Sequence, residues 1–246
     1  MKIWSATDYA NQEFEQPAWL VPGLIPGYGI LMIYAHPKTG KSILSQQLAH
    51  ELGCGGKLLG HKIDNPLKVL YVQSDLPEAE WAEQMKSLDV CPSCQRPFTE
   101  GWDTVWIEQG WLAKNPRIET ELKNAFKAGG YGLLILDSLL TISGYADLND
   151  LGVVGRVRSA MEQLTPKPKW LIHHKRKGTP GVPDKSNVSS VGHNSLAAGV
   201  SALLDLSATA KDQGSLIIQG RFVRSDLDLI RGPHGIWLPA KDVMKG

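Results

Sequence analysis

The chain has 246 residues, of which 42% are hydrophobic and 21% charged, with a formal net charge of +1, and this indicates one large globular domain with a sizeable core. The near-neutral charge argues against attraction of the whole chain to nucleic acid or to a membrane, so any DNA contact has to come from a local basic patch. No apolar run approaches the length of a membrane span, and three cysteines without an export signal favour a reduced, cytoplasmic protein.

Helices and strands are predicted to alternate along most of the chain. Residues 6–15 predict a short helix and residues 16–29 a loop, so we expect an N-terminal arm over residues 1–17 and a main domain over residues 18–246. The elements predicted after the loop are strands at 30–34, 68–72, 104–107, 133–137 and 169–173, helices at 42–52, 77–88, 116–128, 151–164 and 195–200, and closing strands at 202–207, 215–219, 226–230 and 235–238. This order predicts an α/β fold, in which a parallel sheet has helices on both faces and an antiparallel β extension at its C-terminal edge.

Residues 35–42, Ala-His-Pro-Lys-Thr-Gly-Lys-Ser, lie between the first strand and the helix after it, where a Walker A phosphate-binding loop has to lie. The backbone N–H groups of such a loop bind phosphate oxygens, and the helix N-terminus adds positive potential. The glycine allows a close approach of the backbone, the lysine places its charge at the β- and γ-phosphates, and the serine hydroxyl binds Mg²⁺. The predicted nucleotide-binding residues are Pro37, Lys38, Thr39, Gly40, Lys41 and Ser42. Ala35 stands where the pattern has its first glycine. Alanine can serve at this position if its φ is negative.

Two aspartates follow predicted strands. Asp137 ends the apolar run Leu-Leu-Ile-Leu-Asp, a Walker B pattern, and we favour Mg²⁺ ligation over the alternative of a turn or capping residue. Asp75 follows the strand at 68–72, at the end where ligands bind in parallel α/β sheets. A carboxylate there can orient and deprotonate an attacking water, whereas the alternative is an interaction with the dipole of the next helix. We favour catalysis.

A histidine pair and a basic stretch follow the strand at 169–173. Because side chains alternate along a strand, one of His173 and His174 should face the nucleotide, and both can equally be ordinary, partly buried histidines. A long loop is predicted to begin with Lys175, Arg176 and Lys177. Its positive charges can bind the phosphate backbone of a nucleic acid. The equal alternative is that they are solvated surface charges. Arg221 can reach the γ-phosphate of a neighbouring subunit or be a surface arginine.

Cys91 and Cys94 have the spacing of half a zinc site. A structural zinc ion needs four ligands, and Cys54 is the remaining cysteine. His50 and His61 are further candidates, although the sequence does not give their distance from the cysteine pair. We therefore take a turn with two free thiols as the default and zinc as the alternative.

The chain resembles the RecA-like P-loop ATPases, and within them the RepA-type and DnaB-type hexameric replicative helicases. The similarity covers residues 18–238 and rests on motifs in the family order, namely residues 37–42, 69–72 with 74–77, 134–137, 173–178, 195–199 and 220–221. The Walker motifs are common to many ATPases. The run His-His-Lys-Arg-Lys-Gly and the later Ser-Leu-Ala-Ala-Gly are more specific.

The resemblance implies a role for each of these motifs. Lys41, Ser42 and Asp137 would bind ATP with magnesium, and Asp75 would stand where the family usually has a catalytic glutamate. His174 would be the γ-phosphate sensor, with His173 as the fallback. The loops after Asp137 and after His174 would face single-stranded DNA in a central channel, and Arg221 would act across a ring interface. Asp75 is one methylene shorter than glutamate, so turnover would be slow, and Gln219 replaces a second basic finger residue.

Four functions are compatible with these features. The first is an ATP-driven motor that forms a hexameric ring on single-stranded DNA in replication or repair, with no membrane partner. The second is a RecA-like regulatory or recombination ATPase that assembles on nucleotide without unwinding. A non-hydrolysing nucleotide-binding scaffold follows if Asp75 is not catalytic. A small-molecule kinase is disfavoured by the closing edge strands and the long basic loop.

Overall fold

The computed structural model describes residues 3–13, 18–88, 90–91, 94–175 and 199–240. In chain order its strands are β1 (Trp19–Val21), β2 (Ile25–Pro26), β3 (Ile30–Ala35), β4 (Lys57–Leu58), β5 (His61–Lys62), β6 (Val69–Gln73), β7 (Trp102–Trp106), β8 (Leu133–Asp137), β9 (Lys169–His174), β10 (Ala202–Ala210), β11 (Gln213–Gly220), β12 (Arg224–Arg231) and β13 (Trp237–Pro239). The α-helices are α1 (Ala6–Ala10), α2 (Lys41–Cys54), α3 (Glu78–Ser87), α4 (Pro116–Ala128), α5 (Leu139–Ile142) and α6 (Leu151–Leu164), and a 3₁₀ turn covers Pro233–Gly235.

A nine-stranded sheet in the order β13-β12-β11-β10-β3-β9-β8-β6-β7 forms the centre of the molecule. The strands from β10 to β7 are parallel, whereas β11, β12 and β13 continue the sheet in antiparallel fashion beyond β10. The predicted fold class, a RecA-like parallel sheet with an antiparallel C-terminal extension, is confirmed.

The central strands are buried on both faces, which explains why they are continuous apolar runs in the sequence. In β3, Leu31 and Ile33 pack in the core on the side of α2, while Met32 and Tyr34 pack in the core that includes residues of α4, α5 and α6. The same alternation along every strand decides which of two adjacent side chains reaches a given site.

The helix ends follow local capping signals. Asn115 accepts a hydrogen bond from the backbone N–H of Ile118, Pro116 begins α4, and Gly129 ends it, as predicted. The predicted end of α2 at residue 52 is wrong, because the helix continues to Cys54 and is capped by Gly55 with φ of 70°. Gly53 instead allows a close approach, since a Cβ there would lie 2.0 Å from the carbonyl oxygen of Gly101.

The antiparallel extension is attached to α2 by a pair of hydrogen bonds. The side-chain amide of Gln47 donates to the carbonyl oxygen of Trp237 at 2.9 Å and accepts from the N–H of Trp237 at 3.2 Å. Both residues are buried. The last strand of the sheet is thereby held against the helix that follows the phosphate loop.

Several short elements differ from the prediction. Residues 16–29 were expected to form a loop, but they contain the two-stranded sheet of β1 and β2. The helix expected at 6–15 covers Ala6–Ala10 and has no buried residue. Most of the helix expected at 195–200 lies outside the described residues. Within the described ranges, every helix is too short or too polar to span a lipid bilayer.

Candidate functional site

Four parallel strands bring the predicted site residues to one edge of the sheet. Ala35 at the end of β3 aligns with His174 at the end of β9, and Gln73 at the end of β6 aligns with Asp137 at the end of β8. Because β3, β9, β8 and β6 are neighbours in this order, their carboxyl ends meet at one edge, where open α/β sheets bind ligands. A cleft of about 500 Å³ lies there.

Residues 36–40 form the loop between β3 and α2. Gly40 has φ of 99° and precedes the first helical residue, whose N-terminus receives no side-chain cap. The α2 N–H groups are thus left for an external anion. Ala35 is the last residue of β3 and is not among the residues with positive φ, so alanine is compatible with this position. The loop is stabilised by the Thr39 hydroxyl, which donates to the carbonyl oxygen of His36 at 2.8 Å.

The Lys41 ammonium group lies beneath this loop. Its Nζ donates to the carbonyl oxygens of Ala35 at 3.2 Å and His36 at 3.0 Å, and the residue is only 5% exposed. Burial lowers the pKa of Lys41, while the carboxylates of Asp137 and Asp75 favour the cationic form. The structure therefore combines one cation and two carboxylates within electrostatic range of each other.

Asp137 is 1% exposed and has two hydroxyl partners. The Tyr71 hydroxyl donates to Oδ2 at 2.6 Å, and the Ser42 side chain is a second hydrogen-bond partner. Burial raises the pKa of Asp137 to about 6, although the hydrogen bonds from Tyr71 and Ser42 and the charge of Lys41 pull in the opposite direction. A hydroxyl and a carboxylate oxygen side by side are the donors that Mg²⁺ prefers, so Ser42 and Asp137 fit the magnesium that a P-loop implies.

Tyr71 was missed by the sequence reasoning. Burial, reinforced by the neighbouring Asp137, raises the pKa of Tyr71 well above its ordinary value, so its hydroxyl remains a donor. Its ring stacks on Trp81 of α3 at a centroid distance of 5.2 Å and packs against Trp102 of β7 at 5.5 Å. These aromatic contacts hold the hydroxyl that donates to the Asp137 carboxylate.

Asp75 is half-buried in the same cleft, immediately after β6. Its Oδ1 accepts from the Ser138 hydroxyl at 3.3 Å, while its backbone N–H donates to Oε1 of Gln73 at 2.5 Å. The carboxylate acts electrostatically on Lys41, Asp137 and His174. Asp75 also lies near the start of α3, which begins three residues later at Glu78.

The two histidines point to opposite faces of the sheet. His174 lines the cleft. The side chain of His173, the preceding residue of the strand, points to the other face of the sheet and is 0% exposed. The Nδ1 atom of His174 is buried and has no hydrogen-bond partner among the described residues. Burial lowers the pKa of His174, with a further lowering by Lys41 that Asp75 partly opposes. A neutral imidazole in the cleft can therefore exchange a hydrogen bond with an incoming group.

The lowered pKa of His174 predicts a pH-dependent stability. The unfolded chain takes up a proton on this histidine near pH 6.5, while the folded chain resists protonation, so folding is disfavoured as the pH falls below about 6.5. We expect His174→Gln to reduce the slope of unfolding free energy against pH between pH 5 and 6.5, by at most about 1.4 kcal/mol per pH unit. Urea unfolding of both proteins across this range measures the slope, and parallel curves would contradict the assignment.

Arg231 is a second residue that the sequence reasoning missed. Its guanidinium donates to the carbonyl oxygen of Thr39 at 2.5 Å and to that of Gly235 at 2.7 Å, and it lies 3.9 Å from the centre of the Trp237 ring. The extension strand β12 thus holds the phosphate loop from the side. In the sequence, Arg231 is marked only as a basic residue directly after a predicted strand and before Gly-Pro, and this pattern is too weak to predict a contact with the phosphate loop.

Arg221 lies at the opposite end of the sheet. Gly220 aligns with Ala202 at the start of β10, and Ala202 aligns with Leu31 near the start of β3. Four residues of strand, about 13 Å, separate this level from the phosphate loop. Arg221 is exposed and does not line the cleft of its own chain.

Of the predicted DNA-binding residues, the structure describes Lys175 alone. Its Nζ lies 2.5 Å from Oδ1 of Asp205 and 3.2 Å from the Ser207 hydroxyl, and the side chain is only 11% exposed. It also lies 5.2 Å from the centre of the Tyr34 ring. The Lys175 charge is thus used inside its own subunit, which weighs against a direct DNA contact. Arg176 and Lys177 lie outside the described residues.

Comparisons with known proteins agree with this geometry. The model of the AAA domain family matches residues 2–180, and a search of curated protein sequences finds no match. Among solved structures, the RadB recombinase is similar with a TM-score of 0.53 and 15% sequence identity, over 87% of this chain and 90% of that chain. The flagellar accessory protein FlaH from Methanocaldococcus jannaschii is similar with a TM-score of 0.51 and 16% identity, over the same shares. At sequence identities this low, the structural similarity shows a common RecA-like fold.

Proposed function

Because this chain belongs to the AAA domain family, we propose that it is a magnesium-dependent ATPase that forms a ring and moves along single-stranded DNA. The observation that carries the proposal is the convergence of Lys41, Asp137, Asp75 and His174 on one cleft at the start of α2. A cation, two carboxylates and a neutral imidazole around an uncapped helix N-terminus are the groups that phosphoryl transfer to water requires.

Each residue has a chemical role in this proposal. The N–H groups of the loop and the Lys41 ammonium bind the phosphates, and Lys41 stabilises the charge that develops on the transferred group. Asp75 orients the attacking water and accepts its proton as the oxygen bonds to the γ-phosphorus and the bond to the bridging oxygen breaks. His174 contacts the γ-phosphate and responds to its loss. Magnesium held by Ser42 and Asp137 would neutralise charge on the β- and γ-oxygens.

Ring formation is supported by the position of Arg221. This side chain is exposed at the end of the sheet away from its own cleft, so it would serve a neighbouring subunit. An arginine donated in trans stabilises transition-state charge. DNA binding is supported by the resemblance to replicative helicases and by the basic residues of the loop that the sequence predicts after β9. Within that predicted loop we assign the contact to Arg176 and Lys177, because Lys175 is ion-paired with Asp205.

The similarity to the RadB recombinase favours a second candidate function. In this alternative the chain assembles on nucleotide, in recombination or regulation, and does not unwind DNA. The fold is the same in both cases, so the nucleotide site alone does not separate them. Coupling of hydrolysis to DNA is the property that differs.

The deciding measurement is the steady-state ATPase rate with and without single-stranded DNA, together with the mass of the nucleotide-bound assembly by light scattering. A motor is expected to form a ring and to be stimulated by DNA, whereas a nucleotide-dependent switch assembles without stimulation. A protein that stays monomeric with ATP and shows no DNA effect would exclude the motor.

The basic loop gives a sharper test. The double substitution Arg176→Ala with Lys177→Ala is expected to weaken DNA binding and to lower the salt slope by about 0.7 per lost phosphate contact. Lys175→Ala is the matched comparison. It should leave the salt slope unchanged and lower the free energy of unfolding by about 1–3 kcal/mol, because it leaves the largely buried Asp205 carboxylate without its partner. Fluorescence anisotropy across salt concentrations and urea unfolding measure the two effects.

A further inference from the structure

A second cluster of chemically active side chains lies at the far end of α2 from the phosphate loop. The ligand atoms of His50, Cys91 and Cys94 all lie within 4.8 Å of one another. His50 is 0% exposed and Cys91 1% exposed. None of these residues takes part in the nucleotide cleft.

The tautomer of His50 is set by a backbone contact. Its Nδ1 lies 3.0 Å from the carbonyl oxygen of Glu100, and because a carbonyl can only accept, this nitrogen carries the proton. The unprotonated Nε2 therefore faces Cys94, whose Sγ lies 3.1 Å away. Histidines that bind metals characteristically donate their other ring N–H to a carbonyl or carboxylate in this manner. The ring is also held by Phe98, which stacks on it at 4.8 Å.

The described residues around the two cysteines are held by backbone contacts. The backbone N–H of Cys91 donates to the carbonyl oxygen of Arg96, and the N–H of Gln95 donates to that of Cys91, both at 2.8 Å. Gln95 has φ of 59°, and Val90 and Pro97 form an isolated β-bridge. These contacts fix Cys91, which is buried, and Cys94, which is half-buried, near His50 of α2.

The spacing of these atoms suits zinc. With Zn–S and Zn–N bonds of about 2.3 and 2.0–2.1 Å, tetrahedral ligands are separated by about 3.5–3.8 Å. The separations in the cluster, from 3.1 Å between His50 and Cys94 to a maximum of 4.8 Å, bracket these values. Soft thiolates and an imidazole also select zinc over harder cations such as Mg²⁺.

Cys54 is the natural fourth ligand. It follows His50 by one helical turn, so the two side chains leave the same face of α2. Its Sγ lies outside the cluster of the three other ligand atoms, 3.8 Å from Nδ1 of His50, the ring nitrogen that faces Glu100. It approaches the cluster through Cys94, with which its thiol interacts. We propose that His50, Cys54, Cys91 and Cys94 form a structural zinc site that fastens the end of α2 to the segment before β7.

The surrounding charges are compatible with this site. On binding, the three thiols release their protons to solvent, and three thiolates with one Zn²⁺ leave a net charge of −1. The Arg96 guanidinium hydrogen-bonds to Cys54 and can offset that charge. In the metal-free protein the Cys91 thiol donates to Oε1 of the Glu51 carboxylate at 3.2 Å, and this hydrogen bond is given up when the thiol ionises to bind zinc.

The first test is the zinc content of the full-length protein, purified under reducing conditions without chelators and then titrated with zinc chloride. We expect about one tightly bound zinc ion per chain by mass spectrometry of the metal, and a lower thermal midpoint after removal of zinc. Cys94→Ser should lose the ion, and His50→Gln should do the same. His61→Gln is the control, because the Nδ1 of His61 lies 3.2 Å from the carbonyl oxygen of Pro22, outside the cluster.

The second test counts the thiolates and does not require a buried variant to fold. Cobalt replaces zinc in such sites, and its thiolate charge-transfer absorption grows with the number of sulfur ligands. The wild-type protein should show three thiolates, and Cys54→Ser, at a half-buried position, should show two with an affinity lowered at least about tenfold. A wild-type protein that takes up no zinc, or an unchanged spectrum in Cys54→Ser, would overturn the four-ligand site. Neither readout depends on ATP.

Discussion

Replacing Lys41 with alanine is expected to lower kcat/KM for ATP at least about 100-fold. The ammonium group lies beneath the loop, held by the carbonyl oxygens of Ala35 and His36 and close to two carboxylates. Without it, the cleft keeps the charges of Asp137 and Asp75 and loses the cation that offsets them. Lys38 and Arg231 still line the cleft, but the transition state would gather its negative charge without the buried Lys41 ammonium group.

Steady-state hydrolysis and binding of a fluorescent ATP analogue measure this effect. Lys62→Ala is the control, because Lys62 is an exposed lysine of β5 outside the cleft, and its activity should equal that of the wild type. If Lys41→Ala hydrolyses ATP at the wild-type rate, the phosphate-loop assignment fails, and with it the proposed ATPase.

Asp75→Asn is expected to keep ATP affinity and to lower turnover by about 100- to 10,000-fold. The amide has the size of the carboxylate and can still accept from the Ser138 hydroxyl, but it cannot take the proton of the attacking water. Single-turnover hydrolysis isolates this step from product release. Equilibrium binding of the nucleotide reports whether the cleft itself is intact.

Two comparisons make the result specific to the position. Asp75→Glu restores a base with a longer arm and should recover most of the lost activity, whereas Asp64→Asn changes an exposed aspartate and should have no effect. A wild-type rate in Asp75→Asn would assign the residue to the start of α3 instead. An inactive wild-type protein that still binds ATP would favour the non-hydrolysing scaffold.

Local signals predicted the regular elements most successfully. The bounds of α4, β8 and α6 agree with the predicted residues. The signal for α4 is Asn115 with Pro116, that for β8 is the apolar run before Asp137, and that for α6 is the apolar stripe from Val153 to Leu164. Each signal lies within one short stretch of sequence. The strands β1 and β2 were missed, since two or three residues carry no periodicity. They form only because distant parts of the core cover them.

The nucleotide cleft was predictable where its chemistry is contiguous in the chain. Lys41 and Ser42 belong to one loop, and Asp137 follows one apolar strand, so spacing alone singles them out. Tyr71 and Arg231 were not predictable in this way. Tyr71 reaches Asp137 across two adjacent strands, and Arg231 reaches Thr39 across 192 positions of sequence.

The amino-acid order was enough to establish an α/β ATPase fold with a phosphate loop, because hydrophobic periodicity, helix caps and the Walker patterns all act within about ten residues. The tertiary structure decided which histidine enters the cleft, which lysine is taken up by an ion pair, and that His50 and Cys54 meet Cys91 and Cys94. These outcomes depend on strand register and helix packing, and both are set by burial of the whole core.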